Sequence, residues 1–532
     1  MVENAALTAM PSDELLEQCI DRYLDEHWED IVADIDRLVR IPSFEDLGAA
    51  AEGAPYGPGP RKALNAALAM ANDMGFEVHD DAGHVGYADL VGASEEQLGI
   101  IGHIDVVPAG PGWHFEPYQV TRKDGYLLGR GVIDDKGPSV VALHAMNLWR
   151  RMQLDGLAPQ LPYTLRFIFG VNEETRMDDV HYYRAHHADP AFLFTPDAEF
   201  PVCYGEKGIY HSLMTSADVP VEQRTVISLE GGTAVNAVPG HAQAVVRAGV
   251  CELPAAQGIE VELLDEREAA AALEAAGTQT DAAGCRLARI TAAGRSAHAS
   301  LPQGGVSAIG MLIGYLLENG LIGEGERAYF QTVARIAATT DGSTVELACS
   351  DADFGELTIV AGHAAMQGGR FTQTIDVRYP TAITGDEVHA KLEALAQAAS
   401  GTCEKARDDA PFLLDPQGPA IQALLASYNQ ATGEDAEPFT MGGGTYAREF
   451  SCAASFGPEK PWEQAPEWVG GMHGPDEGVG EQLLKEAFRI YALMHKLSMM
   501  DLQVLMGQML VFLFLLHLQQ ILCFYYYYFF PL

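Results

Sequence analysis

Several acidic and histidine side chains in this chain stand at the ends of apolar runs or inside glycine-rich loops, where a fold can converge them on one point. In LGIIGHIDVVPAG, His103 and Asp105 follow an apolar run at a spacing of two. In a strand that spacing puts both side chains on one face. Imidazole is a good zinc ligand, and a neighbouring carboxylate fixes its tautomer and raises its basicity. Alone, the pattern also suits a structural histidine. In GRGVIDDKGP, Gly129 and Gly131 allow a tight turn and Asp134 and Asp135 follow. Such acids either cap the next helix or, for Asp134, bridge two cations. FIFGVNEETR ends an apolar strand on Glu173 and Glu174. Buried there, two acids need a cation beside them. They are then one metal ligand and one general base; otherwise they mark an exposed strand end. FLFTPDAEFP ends a further apolar run on Asp197, and GGMHGPDEG holds His473 in a glycine-rich loop. Mixed histidine and carboxylate sets suit zinc, manganese or cobalt. A shared carboxylate suits a two-metal centre with ions about 3.5–4 Å apart.

These residues need a scaffold of strands ending at one edge. Apolar spacing predicts helices over 14–40, 61–74 and 138–152, and strands over 86–90, 98–104 and 164–171. Strands alternating with helices predict an α/β domain with a mixed, mostly parallel sheet flanked by helices. From about Gly208 the character becomes α+β. Strand-like runs at 209–215, 242–248, 289–292, 355–360 and 371–377 accompany helices at 306–317 and 385–399. Two glycine-led pieces, Gly231–Ala248 and Gly368–Pro380, are weakly alike and suggest two related lobes. Helices near 420–432 and 480–496 return the chain to α/β character. The expected division is therefore 1–208 and 405–498 as one domain, 209–404 as an insertion, and 499–532 as an apolar tail of doubtful origin.

Lys and Arg total 33 against 74 Asp and Glu, a formal charge of −41. That excludes a basic surface for nucleic acid or anionic membrane. The eight cysteines are scattered without a C-x-x-C, which fits a reducing compartment. The N-terminal stretch is acidic and has no secretory pattern, so a cytoplasmic protein is expected. The run from Leu505 to Leu518 is shorter than the roughly 20 apolar residues of a spanning helix. No membrane association is expected; a non-native extension or an anchor are the two readings of the tail.

The order and text of the five motifs resemble the di-zinc metallopeptidase family that includes acetylornithine deacetylase, succinyl-diaminopimelate desuccinylase, aminoacylase and carnosinase. Within it the chain is most similar to PepV-like dipeptidases, over about Asp13 to Ser498. The resemblance implies that His103, Asp134, Glu174, Asp197 and His473 bind two divalent ions, zinc first, with manganese or cobalt as alternatives. Asp134 would bridge the ions, Asp105 orient His103, and Glu173 act as general base. GGTAVNAVP supplies Asn236 and GRSAHASLPQGG supplies His298, which in the family act on the scissile carbonyl from an inserted lid domain. Arg378 and the loop Gly443, Gly444 and Thr445 would hold the substrate's terminal carboxylate; a structural salt bridge is the other reading of Arg378. The stretch between His473 and Glu477 departs from the family's usual residues, so Glu477 receives no role. The implied function is hydrolysis of dipeptides with a free N-terminus through a metal-bridging hydroxide, with N-acyl-amino-acid deacylation as the alternative. A monomer is expected, with a homodimer as the other arrangement.

Overall fold

Leu16, Ile20, Ile31, Ile35 and Leu38 recur at helical spacing and are all buried in the helix Asp13–Val39. Ser12 opens that helix, its side chain accepting the amide of Leu15 at 3.2 Å. The computed structural model describes residues 10–220, 223–249, 253–277, 286–367, 369–494 and 496. The apolar tail, Cys251, Cys285, Cys523 and Gly368 lie outside the described residues. Among the described residues no helix is long and apolar enough to cross a membrane, and the cysteines Cys19, Cys349, Cys403 and Cys452 are free.

The chain divides into two compact units. The first comprises the residues up to Tyr204, Leu414–Phe439 and those from Thr445 onward; the second comprises Gly205–Leu413 and Thr440–Gly444. In the first unit the strands run in the order Glu77–Asp80, Gly86–Leu90, Thr164–Gly170, Gln97–His103, Phe192–Thr195, Ala453–Ser455. The last four are mutually parallel, and the two at the Glu77 edge are antiparallel. Ile100, Phe167 and Leu193 on neighbouring parallel strands are essentially without exposure. Near-continuous apolar strands are what a sheet covered on both faces requires. The helix Lys136–Leu154, with Val141, Ala145 and Trp149 fully buried, lies in the same core as the helices Asp13–Val39 and Pro58–Met74.

The second unit is built on one eight-stranded antiparallel sheet. The helices Ala308–Glu318, Glu324–Ala337 and Gly385–Ala398 share its core. The two glycine-led pieces of the sequence enter this single sheet as the strands His241–Gly249 and Arg370–Tyr379. The run expected over 355–360 is instead a short strand Gly355–Glu356 and a ten-residue strand Thr358–Gln367. Its second half, AGHAAMQ, carries too little bulk for an apolar count to register.

Candidate metal centre

Three residues of the centre, His103, Glu174 and Asp197, end or follow neighbouring parallel strands of the first unit, while Asp134 stands just before the helix Lys136–Leu154 and His473 in a loop. Gln97–His103 ends on His103, which is in register with Gly170 of the strand Thr164–Gly170. On its other side Phe192–Thr195 leads into Asp197. Their shared direction brings the carboxyl ends to one edge, where open α/β sheets place their sites. Packing at that edge is tight. A Cβ at residue 102 would lie 2.0 Å from Ser139 Oγ, and one at residue 170 would lie 2.1 Å from the Tyr446 hydroxyl, so both positions are glycine.

Asp134 faces both histidines. Its Oδ1 is 2.9 Å from His103 Nε2 and its Oδ2 is 2.8 Å from His473 Nε2. Asp197 Oδ2 stands 3.6 Å from His103 Nε2, and Glu174 Oε2 stands 3.0 Å from His473 Nε2. Two ligand sets result, His103–Asp134–Asp197 and Asp134–Glu174–His473, each with its ligand atoms within 4.8 Å of one another. Among the described residues Glu173 belongs to neither set, although it adjoins Glu174.

Asp105 lies just beyond the strand. His103 Nδ1 approaches its backbone carbonyl at 3.1 Å and its carboxylate at 3.5 Å. The carboxylate also accepts the amides of Glu173 and Glu174 at 3.3 and 3.2 Å. Asp105 therefore connects the histidine to the turn that carries both glutamates. A hydrogen bond at Nδ1 leaves Nε2 to face the ligand set.

The charges here are poorly balanced by protein alone. Burial, with Asp197, Glu174 and Asp134 nearby, pushes Glu173 well above the usual carboxylate range. Burial and the Asp134 and Glu174 charges raise Asp197 to about 7. Burial disfavours charge on His473, yet Asp134 and Glu174 raise it to about 11. His103 is pushed well up by Asp105 and Asp134 against the same burial. Acids this desolvated call for cations. Imidazole nitrogens and carboxylate oxygens, one carboxylate common to two sets, are a donor set that fits two divalent ions.

Sequence reasoning missed several supporting residues. Asp135 does not cap the helix Lys136–Leu154 with its side chain. Its Oδ2 instead accepts the His103 amide at 3.1 Å and the Ser139 hydroxyl at 2.8 Å, tying strand to helix. Asp179 accepts the amides of Val171 and Asn172 at 2.6 and 2.9 Å, and the Tyr446 hydroxyl at 2.5 Å. It thereby fixes the turn leading to Glu173. Asp179 and Tyr446 are 267 positions apart, so no local spacing marks the pair.

The other candidate residues, Thr445 apart, lie in the second unit. The short strands Ala237–Val238 and Ala297–His298 pair, with Ala237 opposite His298, which brings Asn236 Nδ2 to 3.5 Å from His298 Nε2. His298 Nδ1 faces the Ser300 hydroxyl at 2.6 Å and the Ser300 amide at 3.3 Å, which orients the ring. Arg378 is buried; it donates from Nε and Nη2 to Asp376 at 2.7 and 3.0 Å and from Nη1 to the Gly442 carbonyl at 3.0 Å. The salt bridge is thus present, and the same guanidinium braces the loop leading to Gly443 and Gly444. Thr445 belongs to the first unit, where its hydroxyl meets Ser455 Oγ at 2.9 Å and accepts the Ala447 amide at 3.1 Å.

Residues 99–496 match the family described as Peptidase family M20/M25/M40. A Beta-Ala-Xaa dipeptidase of Lactobacillus delbrueckii subsp. lactis is 30% identical over 436 residues, which cover 80% of this chain and 88% of that protein. The putative dipeptidase YtjP of Bacillus subtilis (strain 168) is 28% identical over 439 residues, 81% of this chain and 90% of the relative. Among solved structures, human carnosine dipeptidase 1 aligns with a TM-score of 0.53 at 16% identity, covering 92% of this chain and 99% of its own. The di-peptidase Dug1p of Saccharomyces cerevisiae aligns with a TM-score of 0.54 at 12% identity, covering 91% and 98%.

Proposed function

This chain belongs to peptidase family M20/M25/M40, and from that membership we propose that it works as a metal-dependent dipeptidase on substrates with a free N-terminus. It is a hydrolase of peptide bonds, and its relatives include proteins named as dipeptidases. The observation that carries the reading is Asp134, whose two oxygens face His103 and His473 at 2.9 and 2.8 Å, with Glu173 beside the paired sets and outside both.

His103, Asp134 and Asp197 would hold one divalent ion; Asp134, Glu174 and His473 would hold the other. Zinc, manganese and cobalt all suit these donors, and we propose zinc. The chemistry such ions supply is Lewis acidity, which makes water more acidic and polarises a carbonyl. Glu173 takes the proton of the attacking water and returns it to the leaving amine. Asp105 and Asp179 hold its turn in place during the transfer. His298, its ring oriented by Ser300 and with Asn236 alongside, is assigned to the carbonyl oxygen of the substrate. Gly443, Gly444 and Thr445 are assigned to the substrate's carboxylate, and Arg378, whose guanidinium is paired with Asp376, is assigned to bracing that loop through the Gly442 carbonyl rather than to the carboxylate itself. We further propose a monomer in the cytoplasm.

The test is hydrolysis of Ala-Ala, Leu-Gly, β-Ala-His, tri-alanine and N-acetyl-methionine, metal-free and with added zinc or manganese. Metal-dependent cleavage confined to the free dipeptides is the expected result. Cleavage of N-acetyl-methionine alone would move the chain to deacylation.

A further inference from the structure

Glu477, the acid to which the sequence assigned no role, is buried at 0% exposure and paired with Arg130 at 1%. Its carboxylate receives Arg130 Nη1 in a short ion pair, and also accepts the amides of Gly131 and Ile133 at 2.9 and 3.2 Å. Its backbone carbonyl accepts the Gly129 amide at 2.9 Å. One residue therefore gathers most of the loop that ends on Asp134.

Arg130 reaches back across the same junction. Its Nη2 donates to the carbonyls of His473 and Gly474 at 3.0 and 3.2 Å, and its guanidinium lies 5.3 Å from the Trp113 ring centre. The backbone it holds is strained. His473 has φ +62°, a left-handed conformation that a side chain other than glycine adopts at a cost. Such a conformation persists only where surrounding contacts over-determine it. The Arg130 donors fall on the carbonyl of that very residue.

The two ligand sets are unequal in this respect. His103 sits on a strand bonded to both neighbours and anchored by Asp135. His473 sits on a loop, and its position relative to Asp134 passes through the Arg130–Glu477 pair. Asp134 is common to both sets, but its neighbour Asp135 ties it to the His103 strand and to Ser139, whereas the His473 carbonyl is held by Arg130. We propose that Arg130 and Glu477 are positioning residues chiefly for the second divalent ion, so that the pair sets the affinity of the Asp134–Glu174–His473 set far more than that of the His103 set. The inference rests on the two-ion reading of the centre and on nothing about the peptide substrate.

The experiment is stepwise Mn²⁺ titration of the metal-free full chain, followed by bound metal per chain after gel filtration, for the parent, Arg130→Lys and Glu477→Gln. Arg130→Lys keeps a cation beside Glu477 while losing the fork that reaches both carbonyls. Glu477→Gln leaves a buried guanidinium without its counter-charge and is the harsher change. In Arg130→Lys the first ion should bind within a few-fold of the parent, and the second about 10–100-fold more weakly, the range for loss of a group that orients a ligand. Glu477→Gln, if cooperatively folded, should show the same split. Equal affinities for both ions in Arg130→Lys would overturn the proposal, as would equal weakening of both. Loss of a cooperative melt in Arg130→Lys would overturn it too, since the pair would then serve folding rather than one site. None of these readouts involves peptide turnover, so they stand or fall apart from the dipeptidase reading.

Discussion

At the residue scale, the centre is a cluster of groups whose protonation is set by burial and by one another. In the metal-free protein Asp197 titrates at about 7 and His473 at about 11. Both must be deprotonated to act as ligands. Below pH 7 each holds a proton, and between 7 and 11 His473 still does. Metal binding should therefore release protons, and apparent affinity should rise with pH across this window. Titration calorimetry in two buffers of different ionisation enthalpy measures that release; a buffer-independent heat at pH 6 would contradict the assignment. The five residues of the two sets stand out in the sequence because each ends an apolar run or sits in a glycine loop. Asp135, Asp179, Tyr446 and Arg130 do not, since their roles are contacts between distant segments. Arg130 and Glu477 are 347 positions apart. Arg378 was legible only as a choice between two readings, and its bidentate bond to Asp376 shows that the structural one is filled.

At the element scale, the parallel strands determine where the ligands lie, and their apolar side chains hold the strands. Phe167 has 0% exposure in the middle of Thr164–Gly170, three residues before the glycine that faces His103. Phe167→Ala should destabilise the first unit by about 3–5 kcal/mol through lost burial and the cavity left behind. Urea unfolding followed by tryptophan fluorescence would show it; a change below about 1 kcal/mol would mean the strand is not the support described. Strands and long helices were readable because their apolar periodicity is strong. The helix Asp178–His186 was passed over: DDVHYYRAH is short and polar on most sides, and contacts elsewhere in the fold hold it. Glu324–Ala337 was also missed, although Tyr329, Phe330, Val333 and Ile336 form a clear buried face, because its glycine-rich start reads as loop.

At the scale of the whole molecule, the unit that starts at Gly205 is built on an antiparallel sheet and the other on a mixed sheet with parallel strands at its centre; the second unit runs to Leu413 and takes in Thr440–Gly444, bounds that differ from the division expected from composition. Sequence could not show that the two glycine-led pieces share one sheet, because pairing between distant strands leaves no local mark. The formal charge of −41 leaves the protein poorly suited to polyanions. The central claim is that Glu173 moves the proton while other residues hold the ions. The most direct measurement pairs bound metal per chain with kcat for a cleaved dipeptide in Glu173→Ala. The account predicts metal content equal to the parent and kcat lower by about 10²–10⁴-fold, the usual contribution of a general base. Turnover that survives the substitution, or metal lost along with it, would contradict the assignment.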